Sequence, residues 1–280
     1  HPNNKMVQIS EVLLNNRKIS NSDPAIFMAG MNVIESEELC MSVAGELKKI
    51  FEKNNIDFIF KASFDKANRS SIDSFRGPGV DQGLKILKNV KDEFNVSIIS
   101  DIHEPSQAEA AGEVLDIIQI PAFLSRQTDL IKAACETKKV INIKKAQFLS
   151  PLQMMNIIEK CNHFGNQNIL LCERGSIFGY DNLIVDFLGI DEIKKIAPTI
   201  LDITHSLQIP GGKGKSADGR SSQAKVLGTA AAAVGLAGFF IEVHPSPENA
   251  LCDGASATRL SEFESLLLEL KKFDELSKSS

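Results

Sequence analysis

DFIFKASFDKANRSS (57–71) decides how this chain is read. An unbroken apolar run, Phe58-Ile59-Phe60, ends abruptly in Lys61 and then in a polar, basic segment. Runs without polar alternation suit strands buried on both faces of a parallel sheet. Lys61, Lys66 and Arg69 collect positive charge at the strand end, and Ser70 and Ser71 add hydroxyl donors. Such a set suits an anionic small molecule, phosphate above all. Taken alone, the same residues would also describe a solvated basic loop. The repetition of the pattern along the chain separates the two.

Outward from this stretch, further strands are expected at 25–32, 96–101, 116–121, 140–145, 168–173, 199–204 and 239–245. Helical segments lie between them, at 35–54, 79–93, 126–137, 150–161, 221–236 and 258–275. Helix 35–54 has acidic residues in its first turn and lysines in its last, which complements the helix dipole. Eight βα units in about 260 residues is the arithmetic of an α/β (β/α)8 TIM barrel. Residues 7–20 form an N-terminal β-hairpin turning at Asn15-Asn16, expected to cover the bottom of the barrel. A doubly wound open sheet would want a glycine-rich phosphate turn after its first strand, and the sequence has none there. No Pro/Gly-rich linker divides residues 1–280, so one domain is expected, with residues 1–5, ahead of Met6, an expression remnant.

Composition limits the function. A hydrophobic fraction of 43% supports a sizeable core, and the net charge of −5 opposes bulk attraction to nucleic acid or anionic membrane. A local basic cluster therefore reads as a site. No apolar run approaches the roughly 20 residues that span a bilayer, and no signal peptide is visible. The cysteines at 40, 135, 161, 172 and 252 are odd in number and scattered in apolar settings, as expected of reduced thiols in the cytoplasm.

Active sites of such barrels lie at the C-terminal ends of the strands. Here those ends carry Asn32, Lys61 with Ser63, Asp101 with His103, Gln119, Lys144 with Lys145, Glu173 with Arg174, His205, and Glu242 with His244. Strand parity turns Asn142 and Lys144 to one face and Lys145 to the other, so Lys144 is the inward lysine if Asn142 is inward. Asp101 and His103 share a face, as do Glu242 and His244. His163, before Phe164-Gly165, reads as a helix-end residue. IPGGKGKSADGRSS (209–222), after the seventh strand, has the composition of a phosphate-holding loop or of a plain mobile one. RGPG (76–79) is a turn before the second helix.

These residues bring out a resemblance. KASFDKANRSS (61–71), SDIHEP (100–105), QIPAFLSRQTDL (119–130), INIKKAQFLSP (141–151), CERGSIFGYDNL (172–183), DITHSLQ (202–208) and FIEVHPSPENALCDG (240–254) make the chain resemble the 3-deoxy-D-manno-octulosonate 8-phosphate synthases. The match runs over nearly the whole chain, and KANRSS is its most discriminating part, because the related erythrose 4-phosphate enzymes carry a KPRT-type sequence there. The resemblance implies a transferase that condenses phosphoenolpyruvate with D-arabinose 5-phosphate and water, in lipopolysaccharide biosynthesis. It implies that Lys144, Arg174 and Arg126 hold the phosphoenolpyruvate phosphate, with Lys61 and Lys66 near its carboxylate and reacting carbons. Asn68, Arg69 and Ser70 would hold the pentose phosphate, and Gln119 and Asp101 would line the cavity. It further implies a homotetramer, with Arg126 supplied to a neighbouring subunit.

The resembling family has metal-dependent and metal-independent members. Metal-dependent ones present Cys, His, Glu and Asp as ligands. His205, Glu242 and Asp253 fill three of those places, whereas Asn32 stands where the Cys would be. Loss of the soft thiolate removes the anchor for zinc or ferrous iron, so the metal-independent type is expected, with no cofactor, and a weak three-ligand site at His205, Glu242 and Asp253 is the alternative. Cys252 is beside Asp253 and does not replace the missing ligand. The rival readings are a 3-deoxy-D-arabino-heptulosonate 7-phosphate synthase acting on erythrose 4-phosphate and a non-catalytic sugar-phosphate-binding barrel.

Overall fold

The apolar runs form strands that are buried along their whole length, which is why they lack polar alternation. A computed structural model describes residues 7–210 and 218–279. Its barrel strands are β1 (Ile26–Val33), β2 (Phe58–Ser63), β3 (Ser97–Asp101), β4 (Ile117–Ile120), β5 (Val140–Lys144), β6 (Ile169–Glu173), β7 (Thr199–Asp202) and β8 (Gly238–His244). Neighbours pair in parallel from β1 through β7. β8 then pairs with both β7 (Phe240 opposite Asp202) and β1 (Glu242 opposite Gly30), which closes the sheet. The alternation of strand and helix is that of the expected (β/α)8 barrel.

The helices between strands are α1 (Glu37–Lys53), α2 (Val80–Phe94), α3 (Ala108–Val114), α4 (Thr128–Glu136), α5 (Met154–His163), α6 (Phe187–Lys194), α7 (Ala224–Val234) and α8 (Leu260–Lys278). α1 illustrates how sequence sets them. Ser36 caps it by accepting from the Leu39 amide at 3.1 Å, with Glu37 and Glu38 in the first turn. Cys40, Val43, Ala44, Leu47 and Phe51 fall at helical spacing and form its buried face. Burying side chains the size of Leu47 and Phe51 stabilises by about 1.5–3 kcal/mol each. α7 and α8 approach closely because Gly228 has no side chain. A Cβ there would lie 2.5 Å from a Leu270 methyl carbon.

The N-terminal hairpin is present as Val12–Leu14 paired with Arg17–Ile19. Asn15 and Asn16 both take positive φ, 47° and 66°, as a two-residue hairpin turn requires. Val12, Leu14 and Ile19 are buried. The Asn15 amide donates to Ser97 Oγ at 3.0 Å and to Asp116 Oδ1 at 3.3 Å, at the entry of β3 and just before β4. These contacts fix the hairpin across the bottom of the barrel, opposite the mouth.

Three details depart from the sequence reading. β7 ends at Asp202 instead of running to Thr204, because the Asp202 carboxylate accepts from the His205 amide at 2.8 Å and starts a short helical turn, Ile203–Ser206. α3 and α6 were not resolved as helices from sequence, being only 7 and 8 residues long. A short strand, Thr258–Arg259, extends the sheet beside the end of β8. The reading of residues 1–5, and that of the core of the 209–222 loop at 211–217, lie outside the described residues. The five cysteines are buried and unpaired.

Candidate active site

Asn32 owes its position to an irregularity in β1. Gly30 packs so closely on β2 that a Cβ would collide with the Lys61 carbonyl, and the β1–β2 register shifts between Gly30 and Val33. Bulges of this kind re-aim a side chain beside a site. The Asn32 Nδ2 donates to Glu242 Oε1 at 2.8 Å and to Asp253 Oδ2 at 3.1 Å. Lys61 Nζ donates to the Asn32 carbonyl at 2.7 Å and to Glu242 Oε2 at 2.6 Å. His205 Nε2 faces the same carboxylates, 3.4 Å from Glu242 and 3.9 Å from Asp253. Asp253 sits in the left-handed region at φ 52°, an uncommon state for a residue with a side chain.

A cavity of about 840 Å³ opens above this cluster at the C-terminal ends of the strands. Lys61, Lys66, Asn68, Arg69, Ser70, Asp101, Gln119, Lys144, Arg174, His205 and Asp253 all line it. Asn32 and Glu242 lie just beneath, held to Lys61 and Asp253. On one wall Lys144 Nζ donates to Asp202 Oδ2, whose carboxylate also meets His205 Nδ1 at 2.6 Å. Arg174 Nη2 donates to Gln208 Oε1 at 2.8 Å. On the opposite side Asp101 accepts from Ser63 Oγ and lies 3.0 Å from His103 Nε2. Gln119 accepts from Asn142 Nδ2 at 3.1 Å, on the floor. At the lip, Arg69 Nη1 donates to the Phe75 carbonyl at 3.0 Å and to that of Leu251 at 3.4 Å.

Arg126, His244 and Lys145 fall outside the cavity. Arg126 is exposed and does not line the cavity of its own chain; its carbonyl accepts from Lys160 Nζ at 2.9 Å. His244 does not join Glu242 in the site, since its Nε2 meets the Glu35 carboxylate at 3.2 Å, where β8 has begun to pair with Thr258–Arg259. Lys145 points away from the cavity and donates to the Ala146 and Leu149 carbonyls at 3.2 and 3.0 Å. Asp202 is a site residue that sequence reasoning missed. Its only signal was its place three residues before His205, which is the spacing of a side-chain cap.

Electrostatics keep the site charged. Burial alone would raise Glu242, but His205, Lys61 and Lys66 outweigh it and hold the carboxyl at about 2. Burial lowers Lys61 to about 8, against the pull of Glu242, so the pair is ionised at neutral pH. Lys66 moves the other way: burial opposes its charge, yet Asp101 and Glu242 together raise it above the ordinary lysine value. Asp101 and Asp202 are both held below the carboxylate range despite burial, Asp101 mainly by His103 and Lys66, Asp202 by His205 and Lys144. Burial pushes the Cys252 thiol up to about 12, which keeps it protonated.

Several buried polar atoms at the cavity have no hydrogen-bond partner among the described residues, including Arg174 Nη1, Gln147 Oε1, His103 Nδ1 and Asn32 Oδ1. Buried donors and acceptors left open in this way mark where a polar ligand would be received. A divalent ion fits the site poorly. The Asn32 amide nitrogen lies between Glu242 and Asp253 and donates to one oxygen of each, so an ion between those oxygens would have to displace it.

A closed parallel barrel whose mouth sets lysines and arginines over buried carboxylates has the layout of a barrel enzyme for small molecules. The chain belongs to the DAHP synthetase I family, which matches residues 6–279. It is 52% identical over 277 residues to the 2-dehydro-3-deoxyphosphooctonate aldolase of Pseudoalteromonas translucida, covering 99% of this chain and 96% of that protein. It is 53% identical over 269 residues to the protein of the same name from Psychromonas ingrahamii, covering 96% of each. To 2-dehydro-3-deoxyphosphooctonate aldolase 1 of Pseudomonas putida it is 52% identical, again over 96% of each chain. The family resemblance read from the sequence is borne out.

Proposed function

We propose that this chain is a 3-deoxy-D-manno-octulosonate 8-phosphate synthase. It joins C3 of phosphoenolpyruvate to the aldehyde carbon of D-arabinose 5-phosphate, adds water at C2 and releases inorganic phosphate. The observation that carries this reading is the near-full-length identity of about half to relatives named for the octonate product, together with a cavity that has cations at both ends.

In this account Lys144 and Arg174 hold the phosphoenolpyruvate phosphate, the Arg174 Nη1 that lacks a partner being a free donor for it. Lys61 and Lys66 face its carboxylate and reacting carbons. Asn68, Arg69 and Ser70 take the pentose phosphate at the lip, so the two dianions lie at opposite ends and their repulsion is offset by separate cation sets. Holding both substrates in line accounts for a large share of the rate. Asp101 and Gln119 line the space where the two carbons meet. Asn32 Oδ1 accepts from the attacking water or a sugar hydroxyl, since its Nδ2 is already committed to Glu242 and Asp253. His205, held by Asp202 and lining the cavity, would serve as the acid for the departing phosphate. No step uses a metal, and the Asn32 amide, which donates to both Glu242 and Asp253, supports that reading.

The chain acts as one barrel domain in the cytoplasm, consistent with five unpaired thiols. No helix among the described residues is long and apolar enough to cross a membrane. It assembles as a homotetramer. Supporting this are apolar side chains left outside the barrel on the segments after β5 and β6: Phe148, Leu152, Phe178, Tyr180 and Leu188, the last three 75%, 97% and 83% exposed. Cover by a second copy would remove them from water and would let the exposed Arg126 reach a neighbour's cavity.

Phosphate release tests the reading. Release should require phosphoenolpyruvate and an aldose phosphate together. Binding of both without release would instead make the chain a non-catalytic sugar-phosphate-binding barrel.

A further inference from the structure

The two phenylalanines of β8 part company. Phe239 stacks on Phe27 at 5.7 Å and 23°, and Phe27 in turn meets Phe51 of α1, so Phe239 belongs to the layer between strands and helices. Phe240, on the other face, turns inward under the cavity and is 1% exposed. The Lys144 ammonium lies 3.3 Å from the centroid of its ring, and the Lys61 ammonium lies 5.5 Å away. The His205 ring packs on it at 6.0 Å. Three residues assigned to the site, from three different strand ends, thus share one aromatic ring.

The face of an aromatic ring attracts a cation within about 6 Å, more strongly where water is excluded. It does so without accepting a conventional hydrogen bond and without a negative charge. That combination matters at this position. An ammonium has three N–H donors, and Asp202 accepts one from Lys144. A second carboxylate in place of the ring would take another donor and would repel a phosphate.

We propose that Phe240 is a positioning residue for Lys144: an aromatic seat that keeps the buried ammonium in place while leaving it an N–H donor for the anionic substrate. This rests on the reading of Lys144 as the anchor of the phosphoenolpyruvate phosphate.

The test replaces Phe240 with 4-fluoro-, 3,5-difluoro- and 3,4,5-trifluorophenylalanine, which nearly keep the shape of the ring while withdrawing charge from its face. Phe240→Leu and Lys144→Met are measured beside them. The fluorine series should raise KM for phosphoenolpyruvate stepwise, reaching roughly tenfold at three fluorines, as expected for a desolvated cation–π contact. KM for the aldose phosphate should stay nearly constant. A flat series, with Lys144→Met inactive, overturns the seat alone and leaves Phe240 as packing, even if Phe240→Leu is impaired. A fully active Lys144→Met enzyme overturns the anchoring role of Lys144, and the seat with it.

Discussion

The amide of Asn32 donates to Glu242 at 2.8 Å, tying the first barrel strand to the eighth where the sheet closes. The same nitrogen reaches Asp253, so one neutral side chain bridges two carboxylates. Activity should therefore survive exhaustive chelation. Asn32→Cys should complete a Cys-His-Glu-Asp set with His205, Glu242 and Asp253 and bind a divalent transition metal, less tightly as pH falls because the bound thiolate must stay deprotonated. Metal content and activity of both proteins, with and without chelator, check this. Loss of wild-type activity on chelation, restored by a divalent ion, would contradict it.

Lys144 and Lys145 are neighbours with opposite fates. Lys144→Met should lower turnover by several orders of magnitude with the fold intact. Lys145 binds two loop carbonyls and lies 3.6 Å from Glu173, so Lys145→Met should act mainly on stability. Leaving such buried groups unpaired costs about 1–3 kcal/mol. Urea unfolding and steady-state kinetics on both variants separate the effects; a larger loss of turnover in Lys145→Met would reverse the assignment.

Arg69 is braced by the Phe75 and Leu251 carbonyls at the cavity lip, with its remaining donors available to a ligand. Arg69→Ala should raise KM for the pentose phosphate far more than for phosphoenolpyruvate. The loss of a charge-assisted contact corresponds to about 1.5–3 kcal/mol of binding. A change confined to phosphoenolpyruvate would move Arg69 to the other subsite.

Acid should weaken the fold through the same site. Glu242 titrates at about 2 in the folded chain against an ordinary 4.5, so between those values the unfolded chain binds more protons. Asp101 and Asp202 are depressed in the same direction. Stability is thus fully present above the ordinary carboxyl values and falls as pH drops through them. Lys61, at about 8 against 10.5, makes stability rise with pH between those two values. Urea midpoints measured across the acid window should fall steadily, and Glu242→Gln should flatten that slope. An unchanged slope in Glu242→Gln would show that Glu242 is not held ionised by its neighbours.

Much of this was legible in the sequence because strand ends announce themselves: an apolar run stops, and a charged residue follows. Lys61, Lys144 and Glu242 were visible for that reason. Asp202 was hidden, since TILDIT reads as one strand and only a side-chain hydrogen bond to the His205 amide cuts it short. Phe240 was hidden because both faces of β8 are buried, and two adjacent phenylalanines do not say which turns inward. α3 and α6 are too short for helical periodicity to stand out. Parity alone put His244 with Glu242, but pairing with Thr258–Arg259 and the pull of Glu35 decide its place. Arg126, exposed and away from the cavity of its own chain, rested on the family resemblance alone, since strand and helix patterns give it no signal.

The central claim is the identity of the aldose, and competing substrates test it most directly. Arabinose 5-phosphate is one carbon longer than erythrose 4-phosphate, and a cavity with cations fixed at both ends senses that length. With phosphoenolpyruvate saturating, kcat/KM for phosphate release should favour arabinose 5-phosphate by at least about hundredfold, since a site built to bind a hydroxyl rejects an analogue that lacks it. Equal values, or a preference for erythrose 4-phosphate, would contradict the account.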